Sequence, residues 1–227
     1  MKFFDRTALA QVLADGIKEL DLDLDQQQHE QLLDYLALLF KWNAVYNLTS
    51  VRDPMQMVTQ HLLDSLAAVP AFADASNVLD VGAGGGLPGI VLAIARPAMK
   101  VALIDTVHKK TAFLTQVKAE LGLSNVTVYT MRVEQLQVGQ QIGQQIGQQV
   151  AQPFDVITSR AFADLSDFVN WSGHLLAEGG QFIALKGTAP PEEQERLPNQ
   201  WKVTQLRPLQ VPGLQAERHL VLISKTD

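Results

Sequence analysis

The residues best placed to do chemistry are Asp80 and the glycines after it, in the run Val78-Leu79-Asp80-Val81-Gly82-Ala83-Gly84-Gly85-Gly86-Leu87-Pro88-Gly89-Ile90. Glycine at Gly82, Gly84 and Gly86 lets a chain turn sharply off a strand and approach a ligand where any Cβ would intrude. Two cofactor classes compete for such a loop. A dinucleotide fingerprint can be drawn on Gly84, Gly86 and Gly89. Gly82 is the glycine that closes the strand, however, and counting from it puts Leu87 where the third glycine belongs. Asp80, two residues before Gly82, suits a ligand carrying an ammonium group and would repel a pyrophosphate. The pattern Asp80-x-Gly82-x-Gly84-x-Gly86 therefore reads as an S-adenosylmethionine site, with Asp80 near the amino acid end of the cofactor. As a bare structural turn, so many glycines would only reduce stability.

Further candidates follow at the ends of apolar runs. Asp105 closes Val101-Ala102-Leu103-Ile104. A carboxylate there accepts hydrogen bonds from two ribose hydroxyls, a feature that nicotinamide and methionine cofactors share, or else caps the helix starting near Thr106. Arg132-Val133-Glu134 follows the next run, where a backbone N–H and a side chain can hold an adenine edge. Arg160 closes the run after that. Its planar fork fits a cofactor carboxylate or an RNA phosphate, or an ion pair with Asp155 or Asp164. His29, His61, His108, His174 and His219 are scattered, and no nucleophile has a base partner. His61 and Asp64 share a helix face at a spacing of three, but no further ligands accompany them, so no metal is expected. With no cysteine in the chain, disulfides, thiolate metal sites and a cysteine nucleophile are excluded.

These residues need a scaffold. A chain of 227 residues, 47% hydrophobic, can bury one sizeable core with a small accessory part. Apolar residues recur at helical spacing from Thr7 to about Val69, in three amphipathic stretches. Asp53-Pro54 is a start signal for the third, and Pro70 closes it. Beyond Pro70 short apolar runs at 77–81, 100–105, 126–130, 154–159 and 181–185 alternate with helical patterns, which argues for a parallel sheet with helices on both faces. Runs 201–209 and 217–224 flank Pro212-Gly213 and read as an antiparallel hairpin at the sheet edge. The expectation is an α/β, Rossmann-like seven-stranded sheet over residues 71–227, with an N-terminal helical extension over 1–70. Residues 137–152 repeat glutamine, glycine and a β-branched residue, and read as a surface loop expansion. Net charge of -6 rules out pervasive basicity, so any polyanion contact is local. No run is long and apolar enough to cross a bilayer and the start is unlike a signal peptide, which points to a cytoplasmic protein.

Taken together, Lys41-Trp42-Asn43, Tyr46-Asn47-Leu48-Thr49, His61-Leu62-Leu63-Asp64-Ser65-Leu66, the glycine loop, Asn125, Arg132-Val133-Glu134, Ser159-Arg160-Ala161-Phe162 and Leu185-Lys186-Gly187 resemble the glucose-inhibited division protein B family. The resemblance runs from about Leu32 to the end. It implies a class I methyltransferase sheet with S-adenosylmethionine as donor. The implied acceptor is N7 of a guanine in 16S ribosomal RNA within the small subunit. Separately, nothing in the sequence suggests an obligate partner helix, so a monomer is expected. The resemblance places cofactor contacts on Gly82, Leu87, Val133, Glu134 and Arg160, which Gly84, Asp80 and Asp105 join on the argument above. The family's usual Gly-Lys-Arg after the second strand is replaced by His108-Lys109-Lys110, which loses a glycine turn and a bidentate arginine.

Guanine N7 has an in-plane lone pair and needs no proton removed, so no catalytic base is expected and the protein's task is positioning. Candidate RNA contacts are Lys109, Lys110, Arg160 and Lys186, with Lys41 and Arg52 nearby and Trp42, Tyr46 or Phe162 available to stack a base. Trp42 and Tyr46, one helical turn apart, also fit core packing. Rival readings are a nicotinamide dehydrogenase, weakened by the glycine register, and a noncatalytic assembly factor, which would have no need of Asp80 and the glycines. A methyltransferase for a small molecule or protein is the strongest rival, because fold and donor site do not name the acceptor.

Overall fold

The computed structural model describes residues 4–139, 149–161, 164–188 and 191–226. Three helical segments come first. Helix α1, Arg6–Glu19, starts at Asp5, whose side chain accepts from the N–H groups of Thr7 and Ala8. Helix α2, Gln26–Tyr46, opens with a capping box between Asp25 and Gln28 and ends at Asn47 in the left-handed conformation. The third segment starts at Asp53-Pro54 as expected, with Asp53 capping the N–H of Met55. It is not one regular helix, however: α3, Pro54–Met57, passes into a π-helical stretch, Val58–Leu63, and then α4, Asp64–Leu66. π-turns are uncommon and concentrate at functional sites. Pro70 lies in a 3₁₀ turn, Val69–Phe72.

Strands β1 Asn77–Val81, β2 Lys100–Asp105, β3 Val126–Thr130, β6 Phe154–Arg160, β7 Leu176–Lys186, β8 Trp201–Pro208 and β9 His219–Lys225 form one sheet in the order β3-β2-β1-β6-β7-β9-β8. All pairings are parallel except β7 with β9 and β9 with β8. The closing hairpin is present, with its second strand inserted next to β7 and its first at the edge. Strand β7 begins five residues earlier than the apolar run at 181–185 indicates, because Leu176 pairs with Phe154 across an irregularity in the ladder. Helices α5 Gly89–Ala95, α6 His108–Glu120, α7 Leu165–Ser172 and α8 Pro191–Glu195 complete the chain. The crossovers from β1 run one way through β2 to β3, and β6 lies on its other side. The crevice at the carboxyl ends of β1 and β6 is thus the switch point where open α/β sheets bind ligands.

Alternate residues of each strand supply two cores. Val78, Val101, Leu103 and Val156 face one cluster, and Leu79, Val81, Ile104 and Ile157 face the other. The first cluster runs unbroken from Leu9, Leu13, Leu32, Leu36 and Leu62 to Ile90, Leu92, Phe113 and Leu114, so the N-terminal helices pack directly on α5 and α6. Polar contacts tie them down as well. Gln28 Nε2 donates to the carbonyls of Ile94 and Ala95, and Gln31 Nε2 to that of Leu121, satisfying the open carbonyls at the ends of α5 and α6. Of the glutamine-rich repeat, 140–148 lie outside the described residues. Its flanks pair as two short parallel strands, β4 Gln137–Val138 and β5 Gln149–Val150.

Candidate active site

The glycine loop leaves β1 with Gly82, Gly84 and Gly86 at positive φ. At Gly84 a Cβ would have only Gly82 O nearby, at 3.7 Å, so the residue faces open space and is needed for its backbone conformation. The loop is fastened from three sides. Gly82 and Ala83 donate to Ile104 O, and the Gly84 N–H donates to Asp105 Oδ2 at 3.0 Å. From α2, the buried Tyr35 hydroxyl donates to Gly85 O at 2.6 Å. Beneath the loop, Asp80 Oδ2 accepts from the N–H of Gly89 at 2.9 Å. The fit is close, since a Cβ on Gly89 would come within 2.7 Å of that oxygen and 2.3 Å of Leu103 Cδ2. Asp80 is fully buried and its Oδ1 has no hydrogen-bond partner among the described residues. Burial pushes its carboxyl up to about 7, against the bond from Gly89 and the charge of Arg160, both of which lower it.

Two cavities open on this loop. The larger, about 590 Å³, lies between the loop, the chain around Thr49, the π-helical stretch and the ends of β6 and β7. The smaller, about 380 Å³, lies between the ends of β2 and β3. Gly82, Lys110 and Ala161 line both, so the cavities adjoin. Ala161 holds a positive φ of 54° at this junction. Of the expected cofactor residues, Gly82, Gly84, Leu87 and Arg160 line the larger cavity, and Gly82, Asp105, Val133 and Glu134 line the smaller. Asp80 lines neither; it supports the loop from below. Asp105 faces the cavity and does not cap α6, whose first turn has no side-chain cap. Its Oδ1 accepts from the N–H of Val107 at 2.9 Å, and Lys110 Nζ lies 3.4 Å from Oδ2.

Arg160 has neither of the acidic partners expected from its neighbourhood in sequence. Asp155 accepts from Ser76 and Asn77 at the far end of the sheet, and Asp164 caps α7 and pairs with Arg196. Arg160 instead reaches the third helical segment, donating to Asp64 Oδ2 at 3.0 Å and to Gln60 O at 3.0 Å, with His61 Nδ1 3.5 Å from its Nη2. Asp64, only 2% exposed, also accepts from Arg218 Nε at 2.8 Å. One buried carboxylate thus orients two guanidinium groups, both on the wall of the larger cavity. His61 and Asp64 do not bond to each other here but both meet Arg160. Among the described residues no group of histidine and acidic side chains could hold a metal. Burial and Arg160 together bring the His61 pKa down to about 4, so its ring is neutral at pH 7.

Of the expected RNA contacts, Lys110 and Lys186 reach the larger cavity, with Lys186 bonded to Glu193 at 2.7 Å, while Lys109 is exposed outside it. Lys41 is exposed, and Arg52 is bonded to Asn43 O and Asn47 Oδ1. Trp42 packs against Phe113 with ring centroids 5.5 Å apart, which is its core role, and Tyr46 is 40% exposed beside it. Phe162 lies outside the described residues. Arg218, Thr49, Gln60 and the anchoring role of Asp64 were not legible as site features. Asp64 stands in the quoted His61-to-Leu66 motif, but its partners lie 96 and 154 residues away.

A seven-stranded sheet of this order, with a glycine-rich turn after β1 and an acid ending β2, is the Rossmann-like fold of class I S-adenosylmethionine-dependent methyltransferases. The chain belongs to the GidB family, rRNA small subunit methyltransferase G, whose model matches residues 28–221. Two proteins named ribosomal RNA small subunit methyltransferase G are each 66% identical to it. One, from Janthinobacterium sp. (strain Marseille), aligns over 100% of this chain and 99% of its own. The other, from Herminiimonas arsenicoxydans, aligns over 99% and 100%. Among solved structures, the O-methyltransferase TomG from Streptomyces achromogenes superposes with a TM-score of 0.57 at 16% identity, covering 99% of this chain and 100% of that one. An O-methyltransferase from Bacillus cereus reaches 0.54 at 18% identity, over 85% and 91%. At these identities the two structures speak for the fold.

Proposed function

We propose that the protein, a cytoplasmic monomer, transfers the methyl group of S-adenosylmethionine to N7 of a guanine in 16S ribosomal RNA that lies within the small ribosomal subunit. The observation that carries this reading is that the family match spans every element lining the two adjoining cavities. We take residues 1–70 as an extension serving the methyltransferase domain of 71–227.

The donor set fits the cofactor. Asp105 still has lone pairs available on the wall of the smaller cavity and suits a ribose diol, and the Val133 N–H with Glu134 suits an adenine edge. The backbone at Gly82, Gly84 and Leu87 leaves space for the amino acid end, and the Arg160 guanidinium suits its carboxylate. Asp80, from below, holds the start of α5 and so keeps the loop open. When bound, the cofactor supplies an electrophilic methyl group on a sulfonium. The protein's own residues orient and enclose. Leu39, Leu48, Leu87 and Leu185 line the larger cavity and limit water there. Lys110, Lys186 and Arg218 provide the local positive charge that an acidic chain needs to meet a phosphate backbone. No side chain has to take a proton, because N7 attacks through a free lone pair, and a neutral His61 agrees with this.

The test is methyl transfer from tritiated S-adenosylmethionine to small subunits, and to protein-free 16S RNA, from a strain lacking the family's enzyme. The expected product is 7-methylguanosine, lost on Arg160→Ala. Tight cofactor binding with no label in either RNA would reject the ribosomal acceptor and point to a small molecule or protein.

A further inference from the structure

We propose that the Thr49 hydroxyl is a specificity-determining donor, giving its hydrogen to the 6-oxo oxygen of the acceptor guanine. The inference rests on the function proposed above. It follows from a count of donors and acceptors around one buried histidine. Arg160 Nη2 lies 3.5 Å from His61 Nδ1, and a guanidinium can only donate. The neutral His61 ring therefore presents an unprotonated Nδ1 to the arginine and carries its proton on Nε2, an assignment made from the network. That Nε2–H donates to Thr49 Oγ1, 2.9 Å away. The N–H of Val51 donates to the same oxygen at 3.2 Å. With the proton on Nε2, both lone pairs of the hydroxyl are taken and its hydrogen has no other acceptor among the described residues. Thr49 lines the larger cavity, beside His61 and Arg160.

The hydroxyl is also held in place. The buried Asn43 side chain donates to Val51 O at 3.0 Å and accepts from the N–H of Thr49 at 2.9 Å, and Arg52 donates to Asn43 O at 2.8 Å. A fixed group that can only donate is a discriminating reader of a purine's Hoogsteen edge. Next to N7, guanine carries the O6 acceptor, whereas adenine carries the N6 amino donor. Thr49 would thus bind guanine with N7 turned into the cavity and would oppose adenine, using a residue of the N-terminal extension rather than of the sheet.

The test crosses Thr49→Val, which removes the hydroxyl at constant shape, with an acceptor lacking the 6-oxo group. The labelled position is first mapped with the native protein, and 16S RNA carrying 2-aminopurine there is then prepared by ligation. Loss of a hydrogen bond that a site is built to make costs at least about tenfold in kcat/KM. The native protein should prefer guanine to 2-aminopurine by about that factor. Thr49→Val should lose it on guanine and lose nothing further on 2-aminopurine, while Thr49→Ser recovers most of it and S-adenosylhomocysteine affinity stays unchanged throughout. Thr49→Ala, smaller and still without the hydroxyl, should behave as Thr49→Val does and stands in for it if that variant misfolds. Retention of the full guanine preference by these variants overturns the inference while leaving the function intact. Absence of 7-methylguanosine with the native protein rejects the function reading, and this inference with it.

Discussion

Replacing Asp64 by alanine removes the single carboxylate that holds Arg160 and Arg218 at the larger cavity. Two charge-assisted hydrogen bonds are lost, at 3.0 and 2.8 Å. Each is worth about 1.5–3 kcal/mol where both partners are shielded from water. The carboxylate is nearly inaccessible, but the arginine side chains retain 20% and 25% exposure, so water recovers part of the loss. We expect folding stability to fall by about 2–4 kcal/mol, between the fully buried and the surface limits. For a chain of this length that lowers Tm by roughly 5–12 °C. Asp64→Asn keeps the volume and one acceptor but turns an amide donor toward a guanidinium, and should fall between Asp64→Ala and the native protein. Urea unfolding of Asp64→Ala, Arg160→Ala and the double variant closes a thermodynamic cycle, in which contact predicts a coupling of about 1–3 kcal/mol. Binding of S-adenosylhomocysteine, followed by calorimetry, should weaken with Asp64→Ala because Arg160 loses its orientation. Additivity within about 0.5 kcal/mol, with Tm unchanged, would refute the picture of one acid fixing two bases.

Two further predictions concern the loop's supports. Burial raises the Asp80 carboxyl from its ordinary 3.8 to about 7, so between these pH values the folded protein keeps a proton that the unfolded chain has released. The stabilisation is complete below the lower value and is lost as pH rises through the upper one, a span of roughly 4 kcal/mol. Urea unfolding should therefore show Asp80→Asn gaining on the native protein from pH 5 to pH 8, and a pH-independent difference would contradict this. Tyr35→Phe leaves the Gly85 carbonyl without its donor and frees the loop. Calorimetric affinity for S-adenosylhomocysteine should drop by about threefold to tenfold, with RNA binding measured by filter retention unchanged, and a loss confined to RNA binding would refute the assignment.

Much of the architecture was legible because its signals are local. The short apolar runs place β1, β2 and β3 at the residues expected, Asp53-Pro54 opens the third helical segment, and the glycines mark the turn after β1. The π-helical stretch was not legible, since the same apolar spacing serves a regular helix and the change of pitch is settled by packing against its neighbours. The roles within the loop were only partly readable. Asp80 stood out by its position before Gly82, yet whether a carboxylate on a central strand faces a ligand or the backbone below it depends on the helix packed over it, here through Gly89.

By itself the sequence determined the order of elements, the sheet class, the donor loop and the family, all carried by residues close together along the chain or by ordered motifs. Only the tertiary structure decided how the acceptor side of the site is built. Arg160 from β6, Arg218 just before β9, Asp64 from α4 and Thr49 from the turn after α2 meet at one cavity. No spacing rule links them, because a charge in a cavity wall is matched by whatever opposite charge folding brings within about 3 Å, however far away it lies in sequence.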